Sequence, residues 1–208
     1  MTEVEKMVEE QIRSRGVTAG RVLEAMLRVP RHEFMPATLR SRAYSDQPLP
    51  IGRGQTISQP YVVARMIELL LSGRQALGKT LEVGAGCGYQ AAVLGSLSRQ
   101  VYAVERLAPL LAQARENLRL AKLSHVRLKH ANGMFGLAEA APFDTIVVAA
   151  AAPSVPKALL DQLAPGGRLM LPVGVFDQVL CLFERMPEGF AESRFDPVRF
   201  VPLLPGVE

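Results

Sequence analysis

The chain has 208 residues, 49% of them hydrophobic and 21% charged, with a formal net charge of +4; that is enough for one domain over 1–208 with a sizeable core. No apolar run approaches a membrane span, and the arginines are scattered where a nucleic-acid footprint would be a stripe or patch, so neither membrane nor nucleic acid is expected as a partner. Two isolated cysteines, Cys87 and Cys181, offer no disulfide framework or metal spacing, and the charged start Met1-Thr2-Glu3-Val4-Glu5-Lys6 is unlike a signal peptide, which together predict a cytoplasmic protein.

Residues 3–15 place Val4, Met7, Val8 and Ile12 on one helical stripe that Gly16 stops. Thr18 is placed to cap a second helix burying Val22, Leu23, Met26 and Leu27 before Pro30. His32 has no partner at a catalytic spacing and reads as a turn histidine. Residues 44–59 are rich in Pro and Gly with little periodicity, and so long a loop in a compact domain is usually functional or disordered. Leu49, Ile51 and Ile57 call for burial, which argues for order. Ser58 precedes Gln59-Pro60 at the start of a helix carrying Val62, Val63, Met66, Ile67, Leu69 and Leu70, where it reads as a cap. A cap at the mouth of a cleft would also face a substrate. Residues 1–60 thus form helices and a loop ahead of a core over 61–208.

The core opens on Thr80-Leu81-Glu82-Val83-Gly84-Ala85-Gly86-Cys87-Gly88-Tyr89, an apolar strand ending in three alternating glycines, after which Ala91 to Leu94 begin a helix. Glycine lets such a turn take positive φ and approach a ligand closely, and the helix start behind it offers free N–H groups. Gly84, Gly86 and Gly88 form GxGxG, while Gly86, Gly88 and Ala91 also satisfy the dinucleotide fingerprint. Glu82 can meet an ammonium group, which S-adenosylmethionine has and a nicotinamide dinucleotide lacks. Leu163-Ala164-Pro165-Gly166-Gly167-Arg168-Leu169 further resembles a turn of S-adenosylmethionine-dependent methyltransferases.

Residues 100–105 read as the next strand, ending in Glu105 at the distance past the glycines where a ribose-binding carboxylate is expected. A helix over 108–121 turns Leu110, Leu111, Ala114 and Leu118 inward, and a third strand over 126–130 leads to Ala131-Asn132-Gly133. His125 and His130 flank it without a ligand partner. Residues 143–148 are the most apolar strand, expected to be central and parallel, and lead into Ala149-Ala150-Ala151-Ala152-Pro153, which holds no side chain able to move a proton. A short helix over 156–163, a strand over 168–172 and closing strands over 178–185 and 195–203 complete the pattern. The class is α/β: a doubly wound, Rossmann-like methyltransferase sheet with helices on both faces and a mixed C-terminal edge.

Three stretches together resemble the protein-L-isoaspartate O-methyltransferase family: residues 49–61 (Leu-Pro-Ile-Gly-Arg-Gly-Gln-Thr-Ile-Ser-Gln-Pro-Tyr), residues 81–90, and Arg199-Phe200-Val201-Pro202-Leu203. Val29-Pro30-Arg31, Val104-Glu105-Arg106 and Leu171-Pro172-Val173-Gly174 add lesser matches. The resemblance implies methyl transfer from S-adenosylmethionine to the free α-carboxylate of isoaspartyl residues in damaged proteins and peptides; separately, a monomer is expected. The same resemblance implies Ser58 as the active-site serine and places Thr56, Ile57 and Ser58 over the methionine end of the cofactor, with Glu82, Gly84, Gly86 and Gly88 beneath it. Glu105 and Arg106 would lie at the ribose and Asn132 and Gly133 at the adenine. Ile51, Gly52, Gln55, Val201, Pro202 and Leu203 would meet the substrate peptide.

The family usually has Gly-Asp-Gly where this chain has Ala131-Asn132-Gly133, a neutral acceptor in place of a charged one and about 1 kcal/mol less binding. Cys87 stands where a small residue such as Ser is common. The resemblance also implies that the methyl ester leaves the enzyme and cyclises to a succinimide, which reopens in part to normal aspartate. Readings that share these residues are a carboxyl methyltransferase for a dedicated peptide or small acid, and a cofactor-binding module without turnover.

Overall fold

A computed structural model describes residues 1–208. The first helix runs as α1 (Glu3–Lys6), a π-helical stretch (Met7–Ile12) and a 3-10 turn (Arg13–Arg15). Thr2 and Glu5 make a capping box at its start, and Gly16 stops it at φ 94°. Helix α2 (Gly20–Arg28) follows. Its N-cap is Ala19, and Thr18 does not cap it. Instead the Glu68 carboxylate, from a different helix, accepts the N–H groups of Thr18 and Ala19 at 2.8 and 3.0 Å. Leu27, expected inside, is 39% exposed. His32 has a partner after all, its Nδ1 lying 2.7 Å from the Tyr44 hydroxyl.

The loop over 44–59 folds into a hairpin of β1 (Leu49–Gly52) and β2 (Gln55–Ile57), turned by Arg53 and Gly54 at positive φ. Leu49, Ile51 and Ile57 are buried as predicted and fasten it to the body. Helix α3 (Pro60–Leu71) has Gln59 at its N-cap with no side-chain hydrogen bond, so Ser58 is not a cap. Then come β3 (Lys79–Val83), α4 (Tyr89–Gly95), β4 (Gln100–Glu105), α5 (Ala108–Leu120), β5 (Val126–His130), β6 (Phe143–Val148), α6 (Lys157–Asp161), β7 (Leu163–Val173), β8 (Gln178–Arg185) and β9 (Phe190–Val198).

The seven core strands lie in the order β5-β4-β3-β6-β7-β8-β9, parallel through β7 and antiparallel for the last two. Alternation on each strand feeds two cores: Ala103, Val147 and Met170 face the helices α1 to α5, while Leu81, Val104, Ile146, Val148, Leu169 and Leu171 face α6 and its side of the sheet. The chain leaves β3 in one direction for β4 and β5 and returns on the other side for β6, which opens a crevice at the carboxyl ends of β3 and β6.

The closing strand ends earlier than predicted. β9 stops at Val198, and Gln178 clamps Phe200 through both its N–H (2.6 Å) and its carbonyl (3.1 Å), turning the chain off the sheet. Val201, Pro202 and Leu203 instead cross to the end of β6, where Ala151 donates to the Val201 carbonyl (2.8 Å) and accepts from the Leu203 N–H (2.7 Å). No helix is long and apolar enough to cross a membrane.

Candidate active site

The glycine turn sits at the mouth of this crevice. Gly84, Gly86 and Gly88 take φ of 90°, 54° and 87°, values only glycine adopts without strain. The turn is tied to the neighbouring strand by three bonds: Gly84 and Ala85 donate to the Val104 carbonyl at 2.9 and 3.1 Å, and Gly86 donates to Glu105 Oε2 at 2.9 Å. The other Glu105 oxygen accepts from the Leu107 N–H at 3.0 Å. Glu105 therefore builds the turn and lines the crevice, each carboxylate oxygen accepting one backbone N–H.

The crevice is a cleft lined by 24 residues, 13 of them hydrophobic. The β1–β2 hairpin covers it through Gln55, Thr56, Ile57 and Ser58. Its floor includes Glu82, Gly84, Gly86, Glu105, Arg106 and Gly133, and the crossing segment closes it with Val201, Pro202 and Leu203. A Cβ on Gly133 would stand 2.4 Å from Val83 Cγ1, so the floor there admits only glycine.

Four residues proposed from the sequence lie outside this lining. Gly88 faces helix α5, where a Cβ would meet Leu118 and Ala114 at 3.3–3.4 Å, so it serves helix packing. Ile51 holds the hairpin onto the turn, its Cδ1 lying 3.2 Å from a Cβ built on Gly86. Gly52 is exposed in the hairpin bend at φ 96°. Asn132 turns its Oδ1 back to cap the Met134 N–H at 3.1 Å. The cleft adds residues that sequence reading missed, among them Tyr89, Gln90, Leu107 and Leu204, and it includes Ala149 from the apolar turn after β6. Gln90 had one visible signal, being a polar residue at the head of an otherwise apolar helix.

The electrostatics point to a cationic ligand. Glu82 is fully buried, and neither of its carboxylate oxygens has a hydrogen-bond partner; the Gln90 amide beside it is equally unpaired. Burial first, and the charge of Glu105 second, push the Glu82 carboxyl well above the usual carboxylate range against a smaller lowering by the neighbouring Gln90 amide. Buried carboxylates are normally paired, so an orphan pair of oxygens in a cleft is a receptor for donors that the protein lacks. An ammonium group such as that of S-adenosylmethionine fits.

A second, more open groove adjoins the first and shares Thr56, Ser58, Ala149 and Val201 with it. Arg15, Arg65, Arg199 and Asp196 also line it. Arg65 is bound to Asp196 (3.1 Å) and Glu68 (3.2 Å), and Arg15 to Asp46 (3.2 Å) over the Tyr61 ring (3.7 Å). Arg199 has no ion-pair partner in the fold, leaving the groove net positive.

A family model described as Protein-L-isoaspartate(D-aspartate) O-methyltransferase (PCMT) matches residues 2–208. The protein-L-isoaspartate O-methyltransferases of Dechloromonas aromatica (strain RCB) and Aromatoleum aromaticum are 62% and 60% identical to the chain over 199 residues, which is 96% of this chain and 92% and 91% of theirs. The crystal structure of a Plasmodium falciparum protein described as a protein-L-isoaspartate O-methyltransferase, in complex with S-adenosyl-L-homocysteine, superposes with a TM-score of 0.85 at 26% identity, covering 98% of this chain and 99% of that one. With a glycine turn at the mouth of a cleft and a second groove opening from it, the chain belongs to the protein-L-isoaspartate(D-aspartate) O-methyltransferase family.

Proposed function

We propose that the two cavities are the cofactor and substrate halves of one active site, and that Ser58 at their junction positions the accepting carboxylate. The observation that carries this reading is the shared lining of Thr56, Ser58, Ala149 and Val201. The reaction is methyl transfer from S-adenosylmethionine to the free α-carboxylate of an L-isoaspartyl residue. Bound S-adenosylmethionine supplies an electrophilic methyl group on a positively charged sulfur.

In this reading Glu82, helped by Gln90, accepts the ammonium group, and the Glu105 carboxylate accepts ribose hydroxyls beside Arg106. Gly133 lies where the adenine would pack, and Asn132, outside the cleft lining, braces that turn by capping the Met134 N–H. Thr56 and Ile57 shield the methionine end from water. Gln55, Val201, Pro202 and Leu203 border the incoming peptide. The domain works as a unit, residues 1–60 contributing the active-site hairpin and 61–208 the nucleotide-binding core.

An α-carboxylate with a reference pKa of roughly 3.5 is already ionised at neutral pH, so no general base is needed. The residues after β6 agree, since Ala149, Ala150, Ala151 and Ala152 offer only apolar surface. What remains is to hold the carboxylate in line and strip its water, and positioning alone can supply roughly 7–11 kcal/mol. Ser58, free of any capping bond, can give the carboxylate one hydrogen bond. Two buried free thiols, Cys87 and Cys181, suit a reducing cytoplasm, where we place the protein as a monomer acting on damaged polypeptides.

The test is methyl transfer from labelled S-adenosylmethionine to a matched pair of peptides, one isoaspartyl and one aspartyl. Transfer to the isoaspartyl peptide alone is expected. Cofactor binding without transfer to either peptide would overturn the substrate assignment.

A further inference from the structure

Arg31 carries a charge that no ion pair in the fold answers. It lies in the 3-10 turn after α2 (Arg31–Phe34), and its side chain is completely buried. Its Nε donates to the Ala43 carbonyl at 2.8 Å, yet Nη1 and Nη2 find no acceptor. The Tyr89 ring lies with its centroid 5.0 Å from Cζ, and the Tyr89 hydroxyl, close enough to soften the charge without neutralising it, turns toward Met26 Sδ at 3.8 Å. Burial pushes the Tyr89 phenol up to about 12 and the Cys87 thiol to about 11. Both are therefore neutral at pH 7 and cannot balance the guanidinium.

A buried cation without a counter-ion is costly, so its retention calls for an anion it can act on. The same two neighbours, Cys87 and Tyr89, line the cofactor cleft where α4 begins. The guanidinium therefore stands one side-chain layer behind the cleft wall, on the glycine-turn side. The carboxylates of the cleft, Glu82 and Glu105, serve the opposite sign of charge.

We infer that Arg31 is a positioning residue for the carboxylate of the cofactor's methionine moiety, drawing it against the wall formed by Cys87 and Tyr89. This rests on the reading of the cleft as the S-adenosylmethionine site. The low-dielectric layer between them lets the charge act without contact. It also sets the direction of the methionine chain, which Glu82 alone, holding only the ammonium, leaves free to pivot.

The experiment compares S-adenosylhomocysteine with its decarboxylated analogue, 5′-deoxy-5′-(3-aminopropylthio)adenosine, by calorimetry on the wild-type chain, Arg31→Met and Arg31→Lys. The wild type is expected to prefer the carboxylate-bearing ligand by about tenfold or more. Arg31→Met should bring the two within threefold of each other by weakening S-adenosylhomocysteine alone, and Arg31→Lys should keep most of the preference. Equal weakening of both ligands in Arg31→Met would make Arg31 a structural residue and overturn the proposal. If Arg31→Met does not fold, Arg31→Lys decides, because loss of the preference with the charge retained overturns the assignment. A wild type that binds both ligands within twofold overturns it without any variant, whereas a wild type that binds neither sinks the cofactor reading itself.

Discussion

Replacing Glu82 by Gln should move stability and cofactor affinity in opposite directions. The carboxyl is fully buried with both oxygens unpaired, and its pKa is raised well above the ordinary value. A carboxyl whose pKa is higher in the folded state favours folding most below the unfolded value, and that benefit is lost as pH rises through the folded value. Each unit of elevation costs about 1.4 kcal/mol once the unfolded group has ionised. Gln keeps the shape without the titration. The free Glu82→Gln protein should therefore be more stable than wild type at pH 7 and melt at a higher temperature. The difference should shrink as pH is lowered toward 4.5, where both chains carry a neutral side chain. The cofactor ammonium loses a charged acceptor worth about 1.5–3 kcal/mol, so S-adenosylhomocysteine should bind about 10–150-fold more weakly. In the wild type, binding favours the ionised carboxyl and releases a proton, so affinity should rise with pH until Glu82 is ionised in the free protein. Thermal melts with and without ligand, and calorimetry across pH, measure both arms. A variant that melts lower than wild type while binding S-adenosylhomocysteine equally well would refute the reasoning.

Ser58→Ala should lower kcat/KM for an isoaspartyl peptide by about 10–100-fold, the value of one hydrogen bond to a charged group. Its melting midpoint should stay within about 1 °C because no helix cap is lost, and a larger drop would restore the capping role. Gly133→Ala forces a Cβ to 2.4 Å from Val83 Cγ1; overpacking of this kind costs about 1–3 kcal/mol, so denaturant unfolding should show that loss together with weaker S-adenosylhomocysteine binding. Charge reversal at Arg199, the groove arginine without an ion-pair partner, should raise KM for isoaspartyl peptides with acidic flanks and spare kcat. The effect should fade at high salt, and steady-state kinetics at two ionic strengths would expose a salt-independent loss as a packing effect.

The parts of this enzyme that could be read from the chain are those that local physics encodes. Alternating apolar residues set the strands, three glycines set a turn that needs positive φ, and Glu105 follows one βαβ unit later because the length of that unit is nearly constant. The hairpin residues Leu49, Ile51 and Ile57 announced their burial by being apolar in a polar loop. Tertiary structure decided whatever depends on which distant segments meet. Glu68 caps α2 across 49 residues in place of nearby Thr18, and Ser58 is released from a capping role its neighbours had suggested. Gly88 serves α5 while Gly84 and Gly86 serve the cleft, a division of labour invisible in the spacing GxGxG. Val201, Pro202 and Leu203 leave the sheet for Ala151 because the Gln178 clamp turns the chain there. The orphaned oxygens of Glu82 and the unanswered charge of Arg31 follow the same rule. A side chain's type is written in the sequence, whereas its lack of a partner is a property of everything packed around it.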